Sequence, residues 1–314
     1  MNDKTEGLIL VTGATGTQGG AAVRALLKEG FGVRAFVRDA TSAGAATLAG
    51  FGAEVFQGDY ENVPSLEDAM DGVRGVFSVQ MPPHPNDPDR EVRTGLRLLE
   101  AAFFADVDMY VHTSVARAGD HEQFVDWDSG RWWKRYWESK AEVNDAVSQR
   151  GLKHWVILKP AHIMENFLPP KAHGMYPSFV RGKLETAILP ETRLDMVAAA
   201  DIGAFAVAAF KDPARFNGHS IDLAGESLTM DEVTSKLSSG TGREVRAQSL
   251  TEGEALAHGI SAGVISSQIW DNVEGYKVDI ETARKWGVQL TAFEKWVEKN
   301  RDQLLEVMSE PNRG

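Results

Sequence analysis

The chain has 314 residues and a formal net charge of −12, long enough to bury a sizeable core and too acidic for nucleic acid or an anionic membrane surface to be its main partner. It contains no cysteine, which excludes disulfides, thiol nucleophiles and cysteine metal sites. No apolar run approaches the roughly 20 residues that span a bilayer, and Met1–Gly7 is polar, without an apolar signal core. These features predict a cytoplasmic protein with no nucleic-acid or membrane partner, as a monomer or a homodimer.

Leu8–Thr12 is a short apolar run rich in β-formers, as in a strand buried on both faces. A glycine cluster follows, then Ala21–Glu29 with helical spacing and a stop at Gly30. Val33–Val37 reads as the second strand, Ala40–Gly52 as a helix, Glu54–Gln57 as the third strand and Ser65–Met70 as a short helix. Gly75–Val79 is a fourth strand that runs into the proline-rich segment Met81–Pro88. Arg90–Ala105 has helical periodicity, Met109–His112 is a fifth strand, Arg131–Gln149 a long helix and His154–Leu158 a sixth strand.

Strands alternating with helices over about 160 residues predict an α/β fold with a doubly wound, parallel Rossmann sheet. Beyond Pro160 the alternation breaks down. Lys171–Arg193 reads as an irregular substrate-side region, Asp201–Phe210 as a helix and His219–Leu223 as a strand. Thr229–Ser239 reads as a helix with Thr229 as N-cap, and Thr291–Met308 as one long terminal helix. The expected organisation is a dinucleotide domain over 1–160 and a small α+β, mainly substrate-binding region over 161–314. Segments around 195–225 are free to return to the first domain.

The chemistry concentrates at Gly13-Ala14-Thr15-Gly16-Thr17-Gln18-Gly19-Gly20, between the first strand and first helix. Gly13 permits the tight turn, Gly16 lets backbone approach a pyrophosphate, and Gly19 allows close helix–strand packing. The helix N-terminus then offers free N–H groups and a partial positive charge to the phosphates. At the end of the second strand, Arg38 stands where a guanidinium can fork onto a ribose 2′-phosphate, and Asp39 is one place late for an NAD-type acid. NADP is therefore expected ahead of NAD. Asp59, after the third strand, is a candidate acceptor for the adenine amino group, with Tyr60 beside it. Gln80 and Met81 end the fourth strand, on the nicotinamide side of the expected crevice.

Tyr136 and Lys140 are four residues apart on the long helix and emerge on one face. An ammonium next to a phenol favours the phenolate, so Tyr136 is the candidate general acid/base and Lys140 its partner. Ser114, just past the fifth strand, is the candidate that orients a substrate oxygen, with Thr113 in reserve. Trp127, Trp132, Trp133 and Trp137 are expected to cluster around Tyr136, where a flat aromatic substrate could stack. Met81, His84 and Trp133 are substrate-side candidates. The histidines lack metal-ligand spacing, so no metal is expected.

Gly13–Gly20, Arg38, Gly58-Asp59, Lys140 and Leu158–Asn166, with Asp201-Ile202-Gly203 and Leu228–Glu232, together resemble the NmrA-like family of atypical short-chain dehydrogenases/reductases. The resemblance implies NAD(P) binding by a Rossmann domain with a small C-terminal substrate domain. It implies phosphate contacts from Gly13, Thr15, Gly16, Thr17, Gln18 and Gly19, a 2′-phosphate contact from Arg38 and a ribose contact from Lys140. Pro160, Ala161, His162 and Ile163 would lie against the carboxamide, with Asn166 and Phe167 facing the substrate. Some family members are dinucleotide-sensing regulators that lack the tyrosine; others reduce quinones, dyes and related aromatic compounds. Tyr136 places this chain on the reductase side. The expected activity is hydride transfer between NADPH and a carbonyl or conjugated, aromatic small molecule. NADP sensing without turnover is the alternative, and a cofactor-retaining epimerase or dehydratase comes third.

Overall fold

The structure, a computed structural model, describes residues 7–309; the reading of Met1–Glu6 as polar, signal-free chain lies outside the described residues. In chain order it opens with β1 (Leu8–Val11), α1 (Thr17–Lys28), β2 (Gly32–Val37), α2 (Ala43–Gly50), β3 (Glu54–Gln57) and α3 (Val63–Ala69). Next come β4 (Val73–Ser78), α4 (Arg90–Phe104), β5 (Met109–Thr113), α5 (Lys134–Gln149) and β6 (Trp155–Pro160). The chain continues through β7 (His162–Ile163), α6 (Lys171–Met175), β8 (Lys183–Thr186) and β9 (Leu194–Val197). Then α7 (Ala199–Lys211), α8 (Pro213–Phe216), β10 (His219–Leu223) and β11 (Glu226–Leu228) follow. It ends with α9 (Met230–Thr241), β12 (Arg246–Ser249), α10 (Glu252–Ala257), α11 (Ala262–Val273), α12 (Ile280–Arg284), α13 (Phe293–Lys299) and α14 (Arg301–Val307).

Two compact units result. The first takes residues up to Glu122, Trp133–Pro160 and Ala199–Asp222; the second takes Gln123–Trp132, Ala161–Ala198 and the chain from Leu223. In the first unit a seven-stranded sheet runs in the order β10-β6-β5-β4-β1-β2-β3. Strands β1 to β6 pair in parallel, and the order reverses between β1 and β4, the switch point of a doubly wound fold. The carboxyl ends of β1 to β5 therefore share one edge, where the segments after them carry Gly13, Arg38, Asp59, Gln80 and Ser114. Ile9, Leu10, Val11, Val76, Phe77, Tyr110 and Val111 are fully buried, as strands covered by helices on both faces require. α1 packs on α7 at Gly203, where a Cβ would lie 2.8 Å from the Ala21 carbonyl oxygen. Only glycine lets the two backbones come so close.

The second unit holds two small sheets, β11-β9-β7 and β12-β8, over an apolar core that includes Phe167, Tyr176, Phe179, Phe293 and Trp296. Thr229 caps α9 as expected, and Glu232 reaches back to the Thr229 amide at 2.8 Å, closing a capping box. Lys171–Arg193, expected to be irregular, contains α6 and β8. The expected single terminal helix is two, because Asn300 adopts non-helical dihedrals and its side-chain amide takes the Trp296 carbonyl at 2.7 Å. The long helix of the first unit starts at Lys134 rather than Arg131. Arg131 and Trp132 close a loop instead: the Trp132 indole N–H bonds the Val125 carbonyl at 2.7 Å and Arg131 pairs with Asp126 at 3.1 Å. α1, conversely, starts early at Thr17, because the glycines that follow are helical. Among the described residues no helix is long and apolar enough to cross a membrane.

Glu185 is buried and accepts hydrogen bonds from Ser178 Oγ and from His258 Nδ1 at 2.9 Å. Burial pushes its carboxyl pKa up, but the Ser178 and His258 contacts outweigh that and hold it below the usual carboxylate value. A depressed folded-state pKa stabilises above the unfolded value and loses that contribution as pH falls through the folded one. Glu185→Ala should therefore destabilise the protein by about 1–3 kcal/mol at neutral pH. Urea midpoints of the two proteins should converge as the pH is lowered through the carboxylate range.

Candidate functional site

The turn after β1 is shaped by a close backbone approach. A Cβ on Gly19 would stand 2.2 Å from the Gly13 carbonyl oxygen and 2.7 Å from that of Thr12. Gly13 itself has φ +58, and a Cβ there would press on Val79 at 3.1 Å. The turn is held by Gly16 N–H donating to the Gly13 carbonyl at 2.8 Å. Thr12 Oγ1 ties it to the end of β4, accepting the Val79 amide at 2.9 Å.

Gly16 is the N-cap of α1 and no side chain caps the helix. Among the described residues the amides of Thr17, Gln18 and Gly19 have no acceptor. A 12-residue helix with an uncapped, glycine-lined start is a receptor for an anion. In the segments that follow β1, β4 and β5, the buried polar atoms Gln18 Oε1, Gln80 Oε1 and Ser114 Oγ also lack hydrogen-bond partners. Buried polar groups are nearly always bonded, so these atoms mark positions that a polar ligand would satisfy. The donor set fits a dinucleotide.

Arg38 is exposed just past β2 and makes no hydrogen bond or ion pair to the described residues. Asp59 is exposed, and its Oδ1 accepts the Glu61 amide at 3.0 Å, so one carboxylate oxygen is committed to the local turn. Tyr60 stands edge-on to Phe36 at 5.4 Å and donates to the Val79 carbonyl at 3.4 Å. Burial pushes its hydroxyl pKa up to about 12 against the opposing Thr12 and Arg38 contributions. Gly58 makes room for this pair, since a Cβ there would fall 2.2 Å from the Phe36 ring.

Tyr136 and Lys140 do face one another on α5, with Lys140 Nζ 5.0 Å from the Tyr136 ring centroid. The sequence reading missed their neighbours. Lys140 Nζ donates to Glu91 Oε1 at 2.6 Å, and Ser139 Oγ donates to Glu91 Oε2 at 2.7 Å, all three residues being buried. Burial opposes the Lys140 ammonium, but Tyr136 and Glu91 together overcome it and raise the pKa. Glu91 was findable: it lies on the buried stripe of α4 with Gly95, Leu98, Leu99 and Ala102. A carboxylate on an apolar stripe signals a buried partner.

A second buried cluster lies along β4 and β5. Ser78 Oγ accepts from the Tyr110 hydroxyl at 2.9 Å and from Gln80 Nε2 at 2.8 Å, and meets His112 Nδ1 at 3.2 Å. With both lone pairs used, the Ser78 proton goes to Nδ1, which assigns His112 the Nε2–H tautomer. Burial, helped by the Lys140 charge, pulls the His112 pKa down to about 3.

Met81, His84 and Trp133 are exposed in the first unit. Trp137 packs edge-on to Tyr136 at 5.2 Å, but Trp127 and Trp132 belong to the second unit. Pro160 ends β6, while Ala161, His162 and Ile163 open the second unit. There Asn166 Nδ2 meets His162 Nε2 at 3.4 Å, and Phe167, fully buried, stacks on Tyr176 at 5.1 Å. Phe167 belongs to the apolar core of the second unit.

Gly19→Ala should destabilise the chain by roughly 1–3 kcal/mol, the usual penalty for overpacking, read as a lower urea midpoint. Nitrogen NMR of His112 should show the neutral Nε2–H tautomer from pH 5 to 9, with no titration in that window.

The model of the NmrA-like family matches residues 5–306. An NAD(P)H azoreductase of Xenophilus azovorans is 32% identical over 246 residues, 78% of this chain and 77% of that protein. Among solved structures, NmrA, a negative transcriptional regulator in complex with NADP, superposes with a TM-score of 0.74 at 21% identity, over 96% of this chain and 97% of that one. The triphenylmethane reductase of Citrobacter sp. gives 0.75 at 21% identity, over 94% and 99%.

Proposed function

The chain belongs to the NmrA-like family, and on that premise we propose that it is an NADPH-dependent reductase of small aromatic carbonyl or conjugated compounds. One observation carries the proposal: a buried, charged Lys140 lies against Tyr136 on the same helix face. A phenolate at Tyr136 and the Lys140 ammonium stabilise each other, the relation a tyrosine acid/base needs.

NADPH held at this site would supply the hydride. The amides of Thr17, Gln18 and Gly19 would hold its pyrophosphate, with Gly13, Thr15 and Gly16 lining the turn. Arg38 would take the 2′-phosphate, Asp59 and Tyr60 the adenosine side, and Gln80 the nicotinamide side. Lys140 spends one N–H on Glu91 and keeps two more for a ribose hydroxyl and Tyr136. Pro160, Ala161, His162 and Ile163 are assigned to the carboxamide. Tyr136 gives its proton to the substrate oxygen, and Ser114 Oγ, which has no partner of its own, orients that oxygen.

An aromatic acceptor is supported by the names of two similar proteins, an azoreductase and a triphenylmethane reductase. Exposed Met81 and Trp133 add apolar surface in the first unit. Substrate selection is assigned mainly to the second unit, where Asn166 is half-buried. A sensor without turnover is the second reading, favoured by the likeness to a transcriptional regulator.

Arg38→Ala should weaken NADP binding by about 10- to 100-fold, the scale of hydrogen bonds to a charged group, and leave NAD binding nearly unchanged. Titration of both dinucleotides checks this, and equal losses would refute the 2′-phosphate contact. Tyr136→Phe should keep NADPH affinity and lose about 10²–10⁴-fold in kcat. Should a panel of quinones, azo compounds, enones and aryl carbonyls give no NADPH oxidation while NADP binds tightly, the sensor reading wins.

A further inference from the structure

Glu91 has no role in the scheme above, yet it occupies an expensive place. It lies in the first turn of the 15-residue helix α4, where the helix dipole favours an anion. The residue is 5% exposed, and both carboxylate oxygens are engaged on α5, one by Lys140 and the other by Ser139. The helices meet closely here: a Cβ on Gly95, one turn after Glu91, would be 3.0 Å from a Val143 methyl. Arg135 on α5 pairs with Asp89 at 2.8 Å, just before α4, and with Glu142. The junction that carries Glu91 is therefore tied on both sides.

We propose that Glu91 is a positioning residue for the reaction, fixing the Lys140 ammonium in place and in its charged form beside Tyr136. The inference rests on the reductase reading for its catalytic meaning, but its physical content can be tested without turnover. A buried ammonium is strongly disfavoured unless paired. Among the described residues, the titratable groups acting on Lys140 are Glu91 from α4, Tyr136 from α5 and His112 from β5. His112 is neutral there, leaving Glu91 as the carboxylate that opposes desolvation. Without its charge, Lys140 keeps only Tyr136 against burial. The ammonium should then deprotonate at lower pH, and Tyr136 should lose the charge that stabilises its phenolate.

The test compares wild type, Glu91→Gln, which keeps the shape without the charge, and Glu91→Asp. The ε-carbon NMR resonance of Lys140 is followed with pH in each protein, assigned by its loss in Lys140→Met. In wild type Lys140 should stay protonated beyond the ordinary lysine range. In Glu91→Gln its midpoint should fall by about one to three units, with Glu91→Asp in between. Coincident Lys140 titrations in wild type and Glu91→Gln would overturn the proposal. Were Glu91→Gln not to fold, a wild-type Lys140 that titrates at or below the ordinary lysine value would overturn it equally. Failure of the reductase reading looks different: wild type would then oxidise no NADPH, while the Lys140 midpoints still separate.

Discussion

The structure depends on one contact, the approach of Gly19 to the Gly13 carbonyl oxygen, so close that a Cβ would stand 2.2 Å from it. That approach brings the first turn of α1 under the end of β1 and leaves three successive amides without acceptors. Thr12 then pins β4 to the same place through Val79, so the sheet's switch point and the open helix end coincide. A nucleotide crevice at this point follows from the parallel order of the strands. The acidic balance of the whole chain does not oppose it, because the pull of the open helix end on an anion is local.

The polar interior of the first unit is organised around charge that must be compensated. A lysine carried into the layer between α4 and α5 is tolerable only because Glu91 meets it and Ser139 completes the carboxylate's hydrogen bonds. The same charge helps keep His112 neutral, and neutrality lets the imidazole accept from Ser78 and join the Tyr110–Gln80 cluster. Tyr136 stands beside this buried lysine, and in the proposed reaction it is the proton-handling group.

Much of this was legible in the residues. The glycine spacing, the β-former runs and the alternation to Pro160 placed six strands and the turn. Tyr136 and Lys140 were visible as a four-residue spacing, since side chains so spaced on a helix share a face. Glu91 was findable as a carboxylate on an apolar stripe, but its partner was not, because Lys140 lies 49 residues away in sequence. The start of α5 was misplaced because Trp132 looks like a helix residue while its indole closes the loop before it on the Val125 carbonyl. The terminal break at Asn300 was invisible because it is a local departure of one residue's dihedrals, with the Asn300 backbone N–H and side-chain amide both meeting the Trp296 carbonyl. Phe167 looked like cleft lining and is core because α6 brings Tyr176 flat against it.

The central claim is that bare amides of α1 grip a pyrophosphate while Arg38 holds a 2′-phosphate. Phosphorus NMR of NADP titrated with the wild-type protein tests it most directly, since each phosphate reports separately. Specific, saturable shifts or broadening of both the pyrophosphate and the 2′-phosphate resonances are predicted. Sharp, unmoved resonances for all three phosphorus atoms at protein excess would contradict it.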